Sequence, residues 1–312
     1  MANSMTKLAL AITLTATASS AMAAASCSKV RFSDVGWTDI TATTAVTSEV
    51  LNGMGYETST DMLSVPVTFS SMANGDIDVF LGNWMPSMEA DIKKYLDNGT
   101  VESLKANLEG AKYTLAVPKY VYDAGVHSFA DIAKHADEFN GKIYGIEPGN
   151  DGNRLIQSMI DKDAFDLDKF ELVESSEAGM MSQVKRAIQR KQWIVFLGWA
   201  PHPMNANFDM EYLSGGDDYF GPNYGGATVY TTVRKGYTTE CPNLGTFFNN
   251  LSFTLPMENE VMGLILDDGM QPQDAAKTWL KKNPDAMNAW LEGVETQTGK
   301  PAAPAVKAYL GL

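Results

Sequence analysis

Residues 79–86 read VFLGNWMP, and residues 195–201 read VFLGWAP. In both stretches an apolar run typical of a buried β-strand leads to Gly, then Trp and then Pro. Such similarity between the two halves of a chain indicates two units of like architecture, because each half repeats the same supersecondary pattern. We therefore predict two lobes, each with a tryptophan just past the end of a strand, Trp84 in the first and Trp199 in the second.

Short β-type runs alternate with helical patterns along the chain, which predicts an α/β fold with sheets flanked by helices. The predicted strands cover residues 29–35, 76–81, 142–146, 193–197 and 227–233. The predicted helices run from the turn at 36–39 to about residue 51, and over residues 69–72, 88–96, 129–136, 155–160, 180–189, 260–266, 274–281 and 306–310. The last strand follows a Gly/Asp/Pro-rich loop, and we predict that it returns the chain to the first lobe.

The N-terminus has the pattern of a secretory signal. Lys7 is the only charged side chain among the first 24 residues, and an apolar run at 8–14 and a small-x-small site at 21–23 follow it. The apolar run is too short to span a membrane. We therefore predict a signal peptide at residues 1–24, cleaved near 23–24, and an exported mature chain.

The two cysteines, Cys27 and Cys241, predict one disulfide in an oxidising compartment. A lipid anchor on Cys27 is the alternative, because this residue lies close behind the signal. The residues before it, Ala-Ala-Ser at 24–26, lack the large apolar side chain usual at a lipid-attachment site. We favour the disulfide, which also requires the chain to return to the first lobe.

The composition argues against several classes of function. The formal net charge of −14 disfavours binding to nucleic acid or to an anionic membrane, and it is compatible with a cationic ligand as well as with plain solubility. The three histidines are not at metal-ligand spacing, and there is no phosphate-binding glycine loop or Gly-x-Ser-x-Gly motif. We expect no catalytic residue, no metal and no cofactor; an enzyme with a carboxylate mechanism is the alternative.

Three tryptophans, Trp37, Trp84 and Trp199, follow predicted strands. In open α/β sheets ligands bind beyond the carboxyl ends of the strands, so these side chains are candidates for a ligand site. Several aromatic faces around one space attract a cation, above all a quaternary ammonium group. The other tryptophans are assigned to the core, Trp193 within a strand and Trp279 and Trp290 in helices.

Asp39 stands two residues after Trp37 and is either a helix-capping or first-turn acid or a ligand contact. In the cleft its charge would attract a cation and accept a hydrogen bond from a hydroxyl group, and it would repel a carboxylate. That preference favours choline over glycine betaine or carnitine. Asn150, at the matching strand end of the second lobe, is either a second partner for the hydroxyl or a left-handed turn residue after Gly149.

The mature chain resembles the periplasmic choline-binding proteins of bacterial ABC importers, in the quaternary-amine branch that also contains glycine betaine binders. The residues that carry this resemblance are GWTD at 36–39, GNWMP at 82–86, KY at 112–113, PGND at 148–151 and GWAP at 198–201. The resemblance implies an aromatic box of Trp37, Trp84, Tyr113 and Trp199, with Asp39 and Asn150 at the hydroxyl and the charge of choline. Tyr113 becomes a site residue only through this resemblance.

The fold that the resemblance implies is a type II-like, two-lobed periplasmic binding protein with two crossover strands, each lobe a mixed sheet flanked by helices. Lobe I would comprise residues 25–114 and 228–312, and lobe II would be inserted as residues 115–227.

Expected partners are choline (acetylcholine could also fit, and betaine more weakly) and a membrane permease with its ATPase; the chain is expected to be a monomer. The alternatives are a glycine betaine or carnitine binder, or an exported enzyme acting on a quaternary amine.

Overall fold

A computed structural model of the chain describes residues 27–312, and the predicted signal segment lies outside this range. The strands are β1 Lys29–Asp34, β2 Glu57–Met62, β3 Val79–Met85, β4 Val101–Pro118, β5 Lys142–Tyr144, β6 Glu171–Val173, β7 Phe196–Ala200, β8 Met210–Tyr212 and β9 Gly226–Arg234. None of the helices in the described range is long and apolar enough to cross a membrane.

The helices fall between the strands and after the last of them. They are α1 Thr38–Gly53, α2 Val65–Asn74, α3 Glu89–Asp97, α4 Lys119–Tyr122, α5 Phe129–Ile132, α6 Asp151–Asp161, α7 Glu177–Arg190, α8 Met204–Asn207, α9 Asp217–Phe220, α10 Tyr237–Glu240, α11 Pro242–Asn250, α12 Leu255–Leu266, α13 Pro272–Lys282, α14 Ala286–Trp290 and α15 Ala302–Leu310. Short 3₁₀ turns cover Ala133–His135 and Ala164–Asp166. The turn Pro222–Gly225 contains left-handed residues and precedes β9.

The strands form one mixed sheet in the order β2-β1-β3-β9-β4-β7-β5-β6, with β8 on β4. We call the half around β1–β3 lobe I and the half around β5–β7 lobe II. The long strand β4 pairs with β9 as far as Lys112 and with β7 from Lys112 onward, so it passes from one lobe into the other. The predicted two-lobed α/β architecture with crossover strands is confirmed.

Helix α1 is the central helix of lobe I, and it starts at the cleft. It packs against α12, α13 and α15, and buries most of its length. It also lies close to β3, because Gly82 has no side chain: a Cβ there would lie 2.7 Å from Cδ1 of Ile40. This close approach brings the first turn of α1 next to the end of β3, where Trp84 lies.

Cys27 and Cys241 form a disulfide, as predicted, with their Cα atoms 5.6 Å apart. The bond ties the segment before β1 to the residue before α11. The chain therefore returns to lobe I after lobe II, and the sulfur of Cys27 is not free to carry a lipid.

Two strands, β3 and β7, lie further along the chain than predicted. Strands β3 and β7 run through Gly82 and Gly198 and include Trp84 and Trp199, because β9 and β4 continue to pair with them beyond each glycine. The prediction that these tryptophans follow the strand ends was therefore wrong: the strands end four and three residues later than predicted, and each tryptophan is the residue before the last one of its strand. Strands β2, β4, β6 and β8 were not predicted.

The three tryptophans assigned to the core behave differently. Trp279 and Trp290 are buried in α13 and α14, as predicted. Trp193 is half-buried and precedes β7 rather than lying in a strand, and it packs against Phe139 with ring centroids 5.4 Å apart.

Candidate ligand-binding site between the lobes

A small cavity lies between the two lobes, where the strands of both end. The space within it, including its opening, measures about 260 Å³. Its lining residues are Trp37, Asp39, Trp84, Tyr113, Ile146, Asp151 and Trp199. The structure thus brings five of the six predicted site residues to one cavity wall; the sixth, Asn150, lies behind it.

Tyr113 is the central ring of this wall. Its centroid lies 6.1 Å from that of Trp84 and 6.4 Å from that of Trp199, with interplanar angles of 60° and 80°. Rings at such angles meet edge to face and therefore surround a space rather than stack into a layer. Phe220 supports Tyr113 at 5.8 Å.

The register of the sheet explains why these rings meet. Tyr113 in β4 lies directly opposite Trp199 in β7, and directly opposed residues of antiparallel strands project from the same face. Trp84 lies opposite Val229 of β9, and β9 in turn pairs with β4. The crossover strand therefore carries the ring that touches the tryptophans of both lobes.

Trp37 lies at the start of α1 and links the two lobes. Its indole Nε1 donates a hydrogen bond of 2.7 Å to Oε1 of Glu147, which follows β5 in lobe II. The indole edge is held by this bond while the ring lines the cavity. Burial raises the pKa of Glu147 to about 7.

Asp39 lies in the first turn of α1 and is only 1% exposed. Neither carboxyl oxygen has a hydrogen-bond partner among residues 27–312. Burial, and then the negative charge of Glu177, raise the pKa of Asp39 well above its usual range. It is a first-turn acid and a cavity residue at once, while Trp37 occupies the N-cap position of the helix.

Asn150 is the N-cap of α6 rather than a left-handed turn residue, because its φ is −65°. Its Oδ1 accepts hydrogen bonds from the hydroxyl of Tyr113 at 2.8 Å and from the backbone N–H of Asn153 at 3.0 Å. Its Nδ2 donates to Asp151 at 3.2 Å. The structure therefore places Asn150 behind Tyr113, where it fixes the ring of the tyrosine.

Sequence reasoning missed Asp151 and Ile146 as cavity residues. Asp151 is fully buried, its Oδ2 has no partner among residues 27–312, and burial raises its pKa to about 6. A signal for it existed, since Asp151 occupies the first turn of the helix after β5 just as Asp39 occupies the first turn of the helix after β1.

The cavity is acidic as well as aromatic. Asp39 and Asp151 line it, and no Lys or Arg among residues 27–312 does. Within residues 27–312 no group of three or more His, Cys, Asp or Glu is placed to hold a metal ion. Aromatic faces and unpaired carboxyl oxygens together suit a cation that carries few N–H donors and one hydroxyl group.

Further contacts hold the lobes together around the cavity. Arg154 of α6 donates to Asp91 of α3 at 2.7 Å and to the carbonyl oxygen of Ser87 at 2.9 Å. Thr38, at the start of α1, donates its backbone N–H to Glu177 of α7 at 2.8 Å. The structure is therefore that of a closed clamp.

A clamp of two α/β lobes around an aromatic, acidic cavity defines a solute-binding protein. Residues 28–282 match the family of substrate-binding domains of ABC-type glycine betaine transport systems, OpuAC. The chain belongs to this family.

Solved structures agree with this assignment. The chain is 62% identical to an ABC-transporter choline-binding protein in complex with choline, with a TM-score of 0.91 over 92% of this chain and 99% of that one. An ABC-transporter choline-binding protein in an unliganded, semi-closed conformation, also 62% identical, gives a TM-score of 0.85 over 92% of this chain and 100% of that one. The lobe arrangement here is therefore nearer to the choline complex.

A curated relative is more distant. The glycine betaine/carnitine transport binding protein GbuC of Listeria monocytogenes is 34% identical over 163 residues, which are 52% of this chain and 53% of that protein.

Proposed function

We propose that this chain binds choline with high affinity between its lobes and delivers it to an ABC importer. The observation that carries the proposal is an aromatic cavity in which, among the residues that the structure describes, carboxyl oxygens are unpaired and no Lys or Arg takes part in the lining. The 62% identical choline-binding protein supports it. Each aromatic face contributes about 0.5–2 kcal/mol to the binding of a cation, so four faces supply a large part of the roughly 8 kcal/mol of a micromolar complex.

In this proposal the trimethylammonium group lies against Trp37, Trp84, Tyr113 and Trp199. Asp39 accepts a hydrogen bond from the hydroxyl group and offsets the charge, and Asp151 adds negative charge from lobe II. Asn150 stays a proposed site residue, and it acts on the ligand by holding the hydroxyl of Tyr113.

A glycine betaine or carnitine binder is the second candidate, and the family and the Listeria relative favour it. The cavity wall argues against it, because a ligand carboxylate needs donors such as Arg and meets Asp39 and Asp151 instead. Acetylcholine shares the trimethylammonium group but lacks the hydroxyl hydrogen, so we expect it to bind more weakly than choline.

Isothermal titration calorimetry of the mature chain with choline, acetylcholine, glycine betaine and carnitine tests the proposal. We expect choline to bind most tightly. Replacement of both Trp84 and Trp199 by leucine keeps an apolar wall without aromatic faces, and we expect it to weaken choline binding about tenfold or more. Tighter binding of betaine than of choline would overturn the ligand assignment.

The export and the partners of the chain are part of the same proposal. We infer cleavage near residues 23–24, a periplasmic location, and delivery to a permease and its ATPase by a monomer. Mass spectrometry of the exported protein and its elution on size-exclusion chromatography test the cleavage site and the monomer. Turnover of choline over hours, followed by NMR, would favour an enzyme instead.

We also propose that lobe I comprises residues 25–114 and 228–312 and that lobe II comprises residues 115–227. The exchange of partners by β4 at Lys112, which pairs with both Gly226 and Ala200, supports these boundaries. Hydrogen exchange should separate two protected regions at these positions.

A further inference from the structure

Glu177, at the start of α7 in lobe II, caps a helix of the other lobe. Its Oε2 accepts from the backbone N–H of Thr38 at 2.8 Å, and its Oε1 accepts from the hydroxyl of Thr38 at 2.5 Å. The N-cap residue of α1, Trp37, makes no capping bond with its own side chain. The first N–H groups of a helix need hydrogen-bond acceptors. Glu177 of lobe II therefore provides the capping acceptor that the side chain of Trp37 in lobe I does not provide.

The charge of Glu177 is not cancelled by the histidine beside it. Nδ1 of His202 accepts from the backbone N–H of Met204 at 2.9 Å, so that nitrogen carries no proton. The ring proton is therefore on Nε2, which donates to Oε1 of Glu177 at 3.1 Å as part of a neutral imidazole. Glu177 thus accepts from three donors, a pattern that suits an ionised carboxylate, and both side chains are almost fully buried.

The same carboxylate lies close to a second acid, because it binds Thr38, the residue directly before Asp39 in the first turn of α1. After burial itself, the charge of Glu177 is the main cause that raises the pKa of Asp39, and Asp34 adds to it. In the part of the chain that the structure describes, neither Lys nor Arg lines the cavity between the lobes. Closing the clamp therefore brings acidic groups of the two lobes together, and each forms part of the surroundings of the ligand site.

We propose that Glu177 makes closure of the lobes depend on a cation. Glu177 caps helix α1 of the other lobe and so favours closure, while its charge opposes that of Asp39 until a cation lies between the lobes. This inference rests on the proposed function, because choline is the cation in question. Glu177 lies outside the cavity wall and yet contributes to the preference for a cation over a neutral molecule. A neutral molecule of the same shape would fill the cavity and still leave the like charges facing each other.

The probe for this idea is 3,3-dimethyl-1-butanol, in which a carbon atom replaces the charged nitrogen of choline. We expect choline, and not this alcohol, to close the wild-type protein. Closure is read by small-angle X-ray scattering and by pulsed-EPR distances between one label on each lobe. Equal closure by both molecules would overturn the proposal.

Variants separate the two actions of Glu177. Asp39→Asn removes the opposing charge at a carboxyl group that makes no side-chain hydrogen bond, and it leaves the Thr38 cap intact. We expect its ligand-free closed fraction to rise, and its preference for choline over the alcohol to fall about tenfold or more. Glu177→Ala loses both the cap and the opposing charge, so we expect its preference for choline over the alcohol to fall as in Asp39→Asn and, unlike in Asp39→Asn, choline to dissociate faster.

Glu171→Gln is the control, since it removes an exposed acid of lobe II and should leave the closed fraction as in the wild type. An unchanged ligand-free closed fraction in a folded Asp39→Asn protein would overturn the charge-dependent closure even if choline binds. That measurement needs no ligand, so it remains decisive if the chain proves not to bind choline.

Discussion

The indole nitrogen of Trp37 in lobe I donates a hydrogen bond to Glu147 in lobe II over 2.7 Å. The ring of the same tryptophan lines the cavity. One side chain therefore takes part both in holding the lobes together and in surrounding the ligand. Neither lobe alone can complete this arrangement.

Trp37→Phe should separate these two contributions, because phenylalanine keeps an aromatic face and loses the N–H donor. We expect choline affinity to fall about tenfold, since the partly buried Glu147 is left without its partner. Trp279→Phe is a matched control: its indole also donates to a glutamate, Glu260, at 2.7 Å, away from the cavity. Calorimetry should find the affinity of the control unchanged; equal losses in both variants would show that the effect is not local.

Tyr113→Phe should weaken choline binding about fivefold, because the ring stays and only its hydrogen bond to Asn150 is lost. Tyr212→Phe is the matched control, since its hydroxyl donates to Asn205 at 2.7 Å in a comparable bond outside the cavity wall. Fluorescence titration measures both. If Tyr113→Phe binds as the wild type does, Asn150 has no part in the site.

Choline affinity should fall on acidification. Burial raises the pKa of Glu147 to about 7 and that of Asp151 to about 6, and a bound cation favours the ionised forms. Protonation removes this negative charge, so affinity should be highest above about pH 7 and should decrease as the pH passes through about 7 and about 6. Binding near pH 6 should release protons, which calorimetry detects in buffers of different ionisation enthalpy. A pH-independent affinity would contradict this expectation.

The stability of the ligand-free protein should change in the opposite sense. Because the pKa values of Glu147 and Asp151 are raised in the folded state, these groups favour folding at low pH, and that contribution is lost as the pH rises through about 6 and about 7. Urea unfolding as a function of pH, with and without choline, measures this contribution to the free energy of unfolding. Choline should restore stability most at the higher pH.

Gly225→Ala should be strongly destabilising. Gly225 has φ +68°, and a Cβ there would lie 1.9 Å from the carbonyl oxygen of Tyr113, which the strand cannot move away. We expect a loss of about 3 kcal/mol or more in the free energy of unfolding. Gly75→Ala is the control, with φ +81° and nothing within 4 Å, and should cost only about 1 kcal/mol for its conformation. Similar losses would show that the contact with Tyr113 carries no cost.

The sequence predicts those features of the fold and the site that depend on residues close together along the chain. The repeated Gly-Trp-Pro pattern places Trp84 and Trp199, and the helix after β1 places Asp39 in its first turn. The disulfide follows from there being two cysteines in a chain with the sequence pattern of a secretory signal. The overall class follows from the alternation of strands and helices.

Other features depend on distant pairing. Tyr113 lies in the middle of a long strand, and only the register with β7 brings it beside Trp199. Strand β2 is largely polar and exposed, so its sequence carries no apolar signal. Asp151 lines a cavity whose other walls come from distant parts of the chain, and Asn150 is bonded to the hydroxyl of Tyr113, 37 residues away in sequence.

The disulfide has a consequence for what happens when a protease cuts the chain. It spans 214 residues of sequence, so nearly three-quarters of the described chain, with the whole of lobe II, forms a covalent ring. A single cut by a protease within that ring opens it without producing two molecules. The nicked protein should migrate as one species until it is reduced, with both walls of the cavity still joined.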